Sequence, residues 1–126
     1  MRYIEIPVFT LEEQKELIEA TIDKERKIIV ILSLGKYCNE YLYSIKTLRR
    51  YLNSDDDDFV IASLQSLEYL VFRQKKIEKD IINELSNCVS SNNQMIYGYA
   101  LELLLEISNS MSQYKDIVNY ILDSKN

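Results

Sequence analysis

The chain has 126 residues, with 20 Asp and Glu against 15 Lys and Arg, a net charge of −5, no histidine, two glycines, one proline and two cysteines. A length of this order suits one domain with a core of its own, without disulfides or metal. Lack of histidine removes the usual general base near neutral pH and the commonest transition-metal ligand, and the acidic balance disfavours phosphate backbones and anionic lipid surfaces.

Taken in chain order, residues 1–9 read as an extended arm. Arg2, Glu5 and Pro7 interrupt it, so it lacks the continuous apolar run of an export signal. No later stretch approaches the roughly 20 apolar residues that span a bilayer, and a cytoplasmic protein is expected, with Cys38 and Cys88 as reduced, buried thiols. Thr10-Leu11-Glu12-Glu13 forms a capping box, an acceptor at the N-cap and a carboxylate three positions on. It opens a first helix that runs to about Asp23, with Leu11, Leu17, Ile18 and Thr21 on its apolar side. A second helix spans about Lys24 to Lys36, turning Ile28, Ile29, Ile31, Leu32 and Gly35 toward the core. Asn39 is expected to cap a third, to about Leu52, carrying Tyr41, Leu42, Ile45, Leu48 and Leu52. After the loop from Asn53 to Asp58 come a fourth helix, about Phe59 to Gln74, capped by Asp57 or Asp58, and a fifth, about Ile77 to Val89. A sixth runs from about Gln94 to Asn109, and a seventh from about Gln113 to Asp123. With so few glycines and prolines, tight-turn β architectures are hard to build, whereas Leu, Ile, Glu, Lys and Ser recur at helical spacing.

The second half of the chain repeats itself. Adding 36 carries Asp80-Ile81-Ile82-Asn83 to Asp116-Ile117-Val118-Asn119, and Val60, Leu64, Leu67, Val71 and Leu85 to Ile96, Ala100, Leu103, Ile107 and Ile121. The same offset backwards sets Ile28, Ile31 and Ile45 under Leu64, Leu67 and Ile81. Periods of this length mark stacked helix pairs that cannot bury their apolar faces alone. The expected fold is therefore all-α: a short right-handed α-solenoid of about three antiparallel helix pairs behind a leading helix. Residues 10–52 would hold the leading helix and a degraded first pair, 58–90 the second pair and 93–124 the third.

The run Asp57-Asp58-Phe59-Val60-Ile61-Ala62-Ser63-Leu64-Gln65-Ser66-Leu67 resembles the first helix of a HEAT repeat, where an acidic cap precedes Val, then Ala and Leu at helical spacing. The likeness covers about Lys24 to Asp123. It departs from the HEAT pattern in its shorter period, against about 40 residues or more, and in Ile61 and Tyr97 where an arginine usually follows the valine. Tetratricopeptide repeats are closer in length but bring Trp, Gly and Pro markers that are missing here.

Catalytic constellations are scarce. Neither cysteine has a histidine to activate it, and Gly35 and Gly98 lie too far apart for a phosphate loop. Glu68, Glu84, Glu102 and Glu106 are only raw material for a carboxylate pair. Arg73, Lys75, Lys76 and Lys79 form a basic cluster interrupted by Glu78 and Asp80. Two groups stand out as partner-binding candidates. One is the anionic run Asp55, Asp56, Asp57 and Asp58, which also suits a helix cap. The other comes from the repeat: with Ile81, Ile82 and Leu85 inward, Asp80, Asn83 and Glu84 point out, and in the copy so do Asp116, Asn119 and Tyr120. Stacking would make these an acidic, amide-rich ladder. The ten tyrosines offer contact area with a polar handle, about half of them expected in the core or its rim.

Size, acidity, tyrosine content and missing catalytic groups together resemble bacterial immunity proteins that neutralise a cognate toxin, some of them HEAT-like. The resemblance implies a non-enzymatic module without cofactor or metal. Its partner would be a basic protein, such as a contact-dependent inhibition RNase whose active-site region it covers; nucleic acid and membrane are not expected partners. The alternatives are a generic HEAT-like adaptor and, from another class, an enzyme using acidic groups on a concave face, with or without a divalent metal.

Overall fold

The computed structural model describes residues 6–20 and 23–124. Among them are seven α-helices and no strand: α1 Leu11–Glu19, α2 Lys24–Tyr37, α3 Tyr41–Leu52, α4 Asp57–Gln74, α5 Lys79–Cys88, α6 Gln94–Ser110 and α7 Lys115–Asp123, with a 3-10 turn, Ser112–Tyr114, leading into the last. The all-α expectation is met. Residues 1–5 of the expected arm, and Thr21 on the first helix, lie outside the described residues.

Helix ends follow their local chemistry, not always at the residue the sequence suggests. The capping box closes as expected, with Glu13 N–H donating to Thr10 Oγ1 at 3.1 Å and Thr10 N–H to Glu13 Oε1 at 2.9 Å. The first helix nevertheless stops at Glu19, because Asp23 accepts from Arg26 N–H at 3.0 Å and starts α2 afresh. Asn39 does not cap α3; Glu40 holds that position without a side-chain bond. The cap of α4 is Asp56, one residue earlier than expected, accepting from Asp58 N–H at 3.0 Å. Between α4 and α5, Lys75 adopts a left-handed φ of 52°, the conformation that ends helices and is usually given to glycine. Helix α5 therefore starts at Lys79, two residues later than expected.

Helix α4 is central. It packs against α2, α3 and α6, while α1 packs on α2, and α5 and α7 both pack on α6. The repeat register is visible in burial: Val60 and Ile96, Leu64 and Ala100, Leu67 and Leu103, Val71 and Ile107, Ile82 and Val118, and Leu85 and Ile121 are all buried. The match is incomplete, since Ile81 is buried but Ile117 only partly so, and of the positions aligned in the first half Ile31 and Ile45 are buried but Ile28 only partly.

Two residues bring α2 and α4 unusually close. A Cβ on Gly35 would overlap the backbone carbonyl and hydroxyl of Ser66, so only glycine fits there. The Ser66 hydroxyl accepts from Gly35 N–H and donates to the Ile31 carbonyl, both at 2.7 Å. Those are the groups four residues apart that form one rung of α2, so a side chain of α4 completes the ladder of its neighbour.

Candidate docking surface

The acidic run turns out to be largely internal structure. Lys24 Nζ, at the start of α2, reaches Asp56 at 3.0 Å and Asp58 at 2.7 Å. That contact holds the Asp56 carboxyl below its ordinary range, the Lys24 hydrogen bond outweighing desolvation. Asp57 accepts from Asn93 Nδ2 at 3.0 Å, and Asn93 in turn caps α6. Only Asp55 makes no side-chain hydrogen bond or ion pair among the described residues. The run joins the N-terminal ends of α2, α4 and α6, so three of its four carboxylates are also held by the chain's own side chains.

The outward positions of α5 and α7 fare differently. Asp80, Asn83, Asp116, Asn119 and Tyr120 are all exposed, Tyr120 at 74%. None of their side chains makes a hydrogen bond or ion pair among the described residues. Glu84 departs from the expectation. It is half-buried, with Arg49 Nε 2.6 Å from Oε2 and Asn53 Nδ2 donating to Oε1 at 2.9 Å. Its carboxylate ties α5 to the end of α3 and is not available to a partner without breaking that tie.

Next to Glu84 lies a feature that sequence reading missed. A hollow of about 610 Å³ is lined by Leu42, Ile45, Lys46, Arg49, Arg50, Asn53, Glu78 and Glu84. Leu42, one of the apolar residues of the third helix, is 78% exposed. The signal was present: residues 42, 46, 49 and 53 fall on one arc of a helix, and three of these four are polar. The end of the surface formed by α3 is therefore basic where α5 and α7 are acidic.

The tyrosines divide by role. Tyr41 donates to Glu78 Oε2 at 2.8 Å, Tyr114 to the Ile77 carbonyl at 2.9 Å, and Tyr99 accepts from Gln65 Nε2 at 3.2 Å. Each bond joins positions about one repeat period apart, so these hydroxyls tie α3 to the start of α5, the 3-10 turn to the segment before α5, and α4 to α6. Burial, then the Glu78 hydrogen bond, raises the Tyr41 phenol well above its ordinary range. Tyr51 is buried; Tyr69, Tyr97 and Tyr120 are exposed.

Of the basic cluster, Arg73 is bonded internally, while Lys75, Lys76 and Lys79 are exposed. Arg73 donates through Nε to the Gly35 carbonyl at 2.9 Å and through its guanidinium to the Cys38 carbonyl at 2.8 Å, covering the C-terminal end of α2. Lys75 sits over Phe72 and Lys76 over Tyr41, each 4.5 Å from the ring centre. Both cysteines are free and buried, and burial, with a smaller push from Glu84, raises the Cys88 thiol to about 11, which leaves it unreactive at neutral pH. Among the described residues no group of three or more His, Cys, Asp and Glu is placed to hold a metal ion, and no helix is long and apolar enough to cross a membrane. The exposed groups that remain can attract cations and exchange hydrogen bonds across an interface. Comparison with protein-family models, with curated proteins and with solved structures finds no match to this chain.

Proposed function

We propose that this chain is a protein-binding module that neutralises a basic partner, in the manner of an immunity protein covering the active-site region of a bacterial toxin such as a nuclease. On this reading the helices form a short right-handed solenoid of about three antiparallel pairs behind α1. The succession α2, α4, α6 and the hydrogen bonds between positions about 36 apart support that arrangement. The observation that carries the function is that Asp80 and Asn83 on α5, and Asp116, Asn119 and Tyr120 on α7, are all exposed and without side-chain bonds among the described residues. Elsewhere the carboxylates of Asp56, Asp57, Asp58 and Glu84 are engaged by the chain's own side chains, yet these five face solvent with free acceptors and an exposed ring. Acidic side chains flanking a tyrosine suit a lysine- and arginine-rich groove, and an interface of standard size would bury roughly 1,600 Å².

The test is toxicity rescue combined with calorimetry. A reading frame beside this one encoding a secreted protein with a basic C-terminal domain is the expected partner, and co-expression of this chain should relieve the harm that domain does. Reversing charge in the double variant Asp80→Lys, Asp116→Lys should weaken binding about tenfold or more, and most strongly at low salt. Unchanged affinity would remove these residues from the interface, and failure of the wild-type chain to bind or rescue would remove the immunity reading.

A further inference from the structure

A second surface, on the border of α4 and α6, is left without partners and is shaped differently from the exposed residues on α5 and α7. A hollow of about 350 Å³ is lined by Met95, Gly98, Tyr99 and Glu102, which share one face of α6 at helical spacing. The bond from Gln65 to Tyr99 places this face beside α4. Gly98 is the floor: a Cβ built there meets nothing within 4 Å, unlike Gly35, whose missing side chain is filled by Ser66. Met95, in its lining, is 55% exposed, Leu105 further along α6 is 46% exposed, and Phe72, one turn on from Glu68 on α4, is 65% exposed.

Carboxylates dominate the charge around this hollow, and Lys75, over the Phe72 ring, is a cation on the α4 side. Glu68 stands close enough to Glu102 and Glu106 that its carboxyl is pushed above the ordinary range by burial first and by those two charges next, with no cation offsetting them. None of the ion pairs among the described residues includes any of the three, and Glu106 is touched only by the Ser110 hydroxyl, at 2.8 Å. The three carboxylates are not placed to hold a metal ion. What remains is a counter-charge carried on a chain, presented together with apolar groups that fit a hollow on the face of α6 that lies beside α4.

We propose that the hollow at Gly98 receives a cationic amphipathic helix of a partner protein, one apolar side chain entering over Gly98 between Met95 and Tyr99 while lysines or arginines a turn away meet Glu68, Glu102 and Glu106. Spacing supports a helix as the occupant. Positions 95, 98, 102 and 105 run along α6 at intervals of three, four and three, with Glu106 next to the last, which a facing helix matches with anchors at i, i+3 or i+4, and i+7. This inference rests on the reading that the chain binds a basic protein, and it assigns the contact to a face that does not include the exposed residues on α5 and α7.

The probe is a fluorescein-labelled synthetic 18-residue peptide of leucine and lysine patterned to form one apolar and one cationic helical face, compared with a scrambled peptide of the same composition, by fluorescence anisotropy against the full chain. Wild type should bind the patterned peptide at least about tenfold more tightly than the scrambled one. Gly98→Leu fills the notch without changing charge and is placed where space is open, so it should keep its fold by circular dichroism and lose about tenfold or more in affinity. Glu102→Lys should lose as much, whereas Asp80→Lys with Asp116→Lys, which changes the same kind of charge elsewhere, should leave peptide binding within about twofold. Equal binding of the two peptides, or Gly98→Leu binding like wild type, overturns the proposal. So does sedimentation showing that the occupant is a second copy of this chain, its exposed Leu42 and Lys46 filling the hollow. If the peptide binds as stated but no basic toxin domain does, the surface stands and the immunity reading fails.

Discussion

The two glycines are opposite cases. Gly35 lies where α4 presses its backbone against α2, so Gly35→Ala must push the helices apart. The overlap is with a backbone carbonyl, which has nowhere to move, and the cost should be about 2–3 kcal/mol, well above the helix-propensity gain of roughly 0.5–1 kcal/mol that alanine brings. Gly98→Ala has only the gain and should stabilise by about that amount. Urea denaturation of the two variants, read against wild type, gives opposite signs if the packing is as described. Glu68 allows a test by pH. Its folded pKa is raised from 4.5, so the stability it contributes is fully present below that value and is lost as pH rises through the folded one. Glu68→Gln should therefore raise the melting temperature at pH 7 and leave it unchanged well below pH 4.5, and equal melting at pH 7 would mean that water screens the three carboxylates from one another.

At the scale of elements, helix ends decide where the chain turns, and several of them also join neighbouring units. Asn93 accepts from Met95 N–H at 2.9 Å and Ile96 N–H at 3.3 Å while donating to Asp57. Asn93→Ala loses the cap and the link together and should cost about 1–2 kcal/mol in a denaturation experiment, whereas Asn119→Ala, exposed and without side-chain bonds, should change little. Cap chemistry was partly legible beforehand. Thr10 with Glu13 satisfies its bonds within four residues of chain, so its pattern is complete in the sequence. Asn39 carries the right side chain for a cap and is passed over, and Asp56 takes the role that Asp57 and Asp58 seemed equally suited to fill. Four consecutive aspartates offer no local preference; Lys24, more than thirty residues earlier, contacts Asp56 and Asp58 and leaves Asp57 to Asn93.

Across the whole molecule, α4 is covered by α2, α3 and α6, and α5 and α7 meet the rest chiefly through α6. Loss of α6 and α7 uncovers one side of α4 and the inner side of α5 at once. A chain ended after Asn92 should therefore show reduced helicity and no cooperative urea transition by circular dichroism; a sharp transition with full helicity for residues 1–92 would show that the units fold independently of their successors. Net charge is distributed by the same packing. The carboxylates of Asp56, Asp57, Asp58 and Glu84 are engaged by Lys24, Asn93, Arg49 and Asn53, whereas Asp80, Asp116, Glu68 and Glu102 make no side-chain bond among the described residues, and neither do Glu12, Glu16, Glu25, Glu40 and Asp55.

Helix content, the approximate span of each helix and the 36-residue register were readable from the chain, because apolar spacing and the scarcity of Gly and Pro act over a few neighbouring residues and carry their own period. The same spacing identified the inward positions of α5 and α7, and with them the outward Asp80, Asn83, Asp116, Asn119 and Tyr120. Which charges stay unpaired was not readable. The pairing of Glu84 with Arg49, the capture of the aspartate run by Lys24, the exposure of Leu42 and the crowding of Glu68 by Glu102 and Glu106 are all contacts between residues more than thirty positions apart or between faces of different helices. Local pattern ranks every exposed carboxylate alike, and only the approach of one helix to another separates those already neutralised from those still open to a partner.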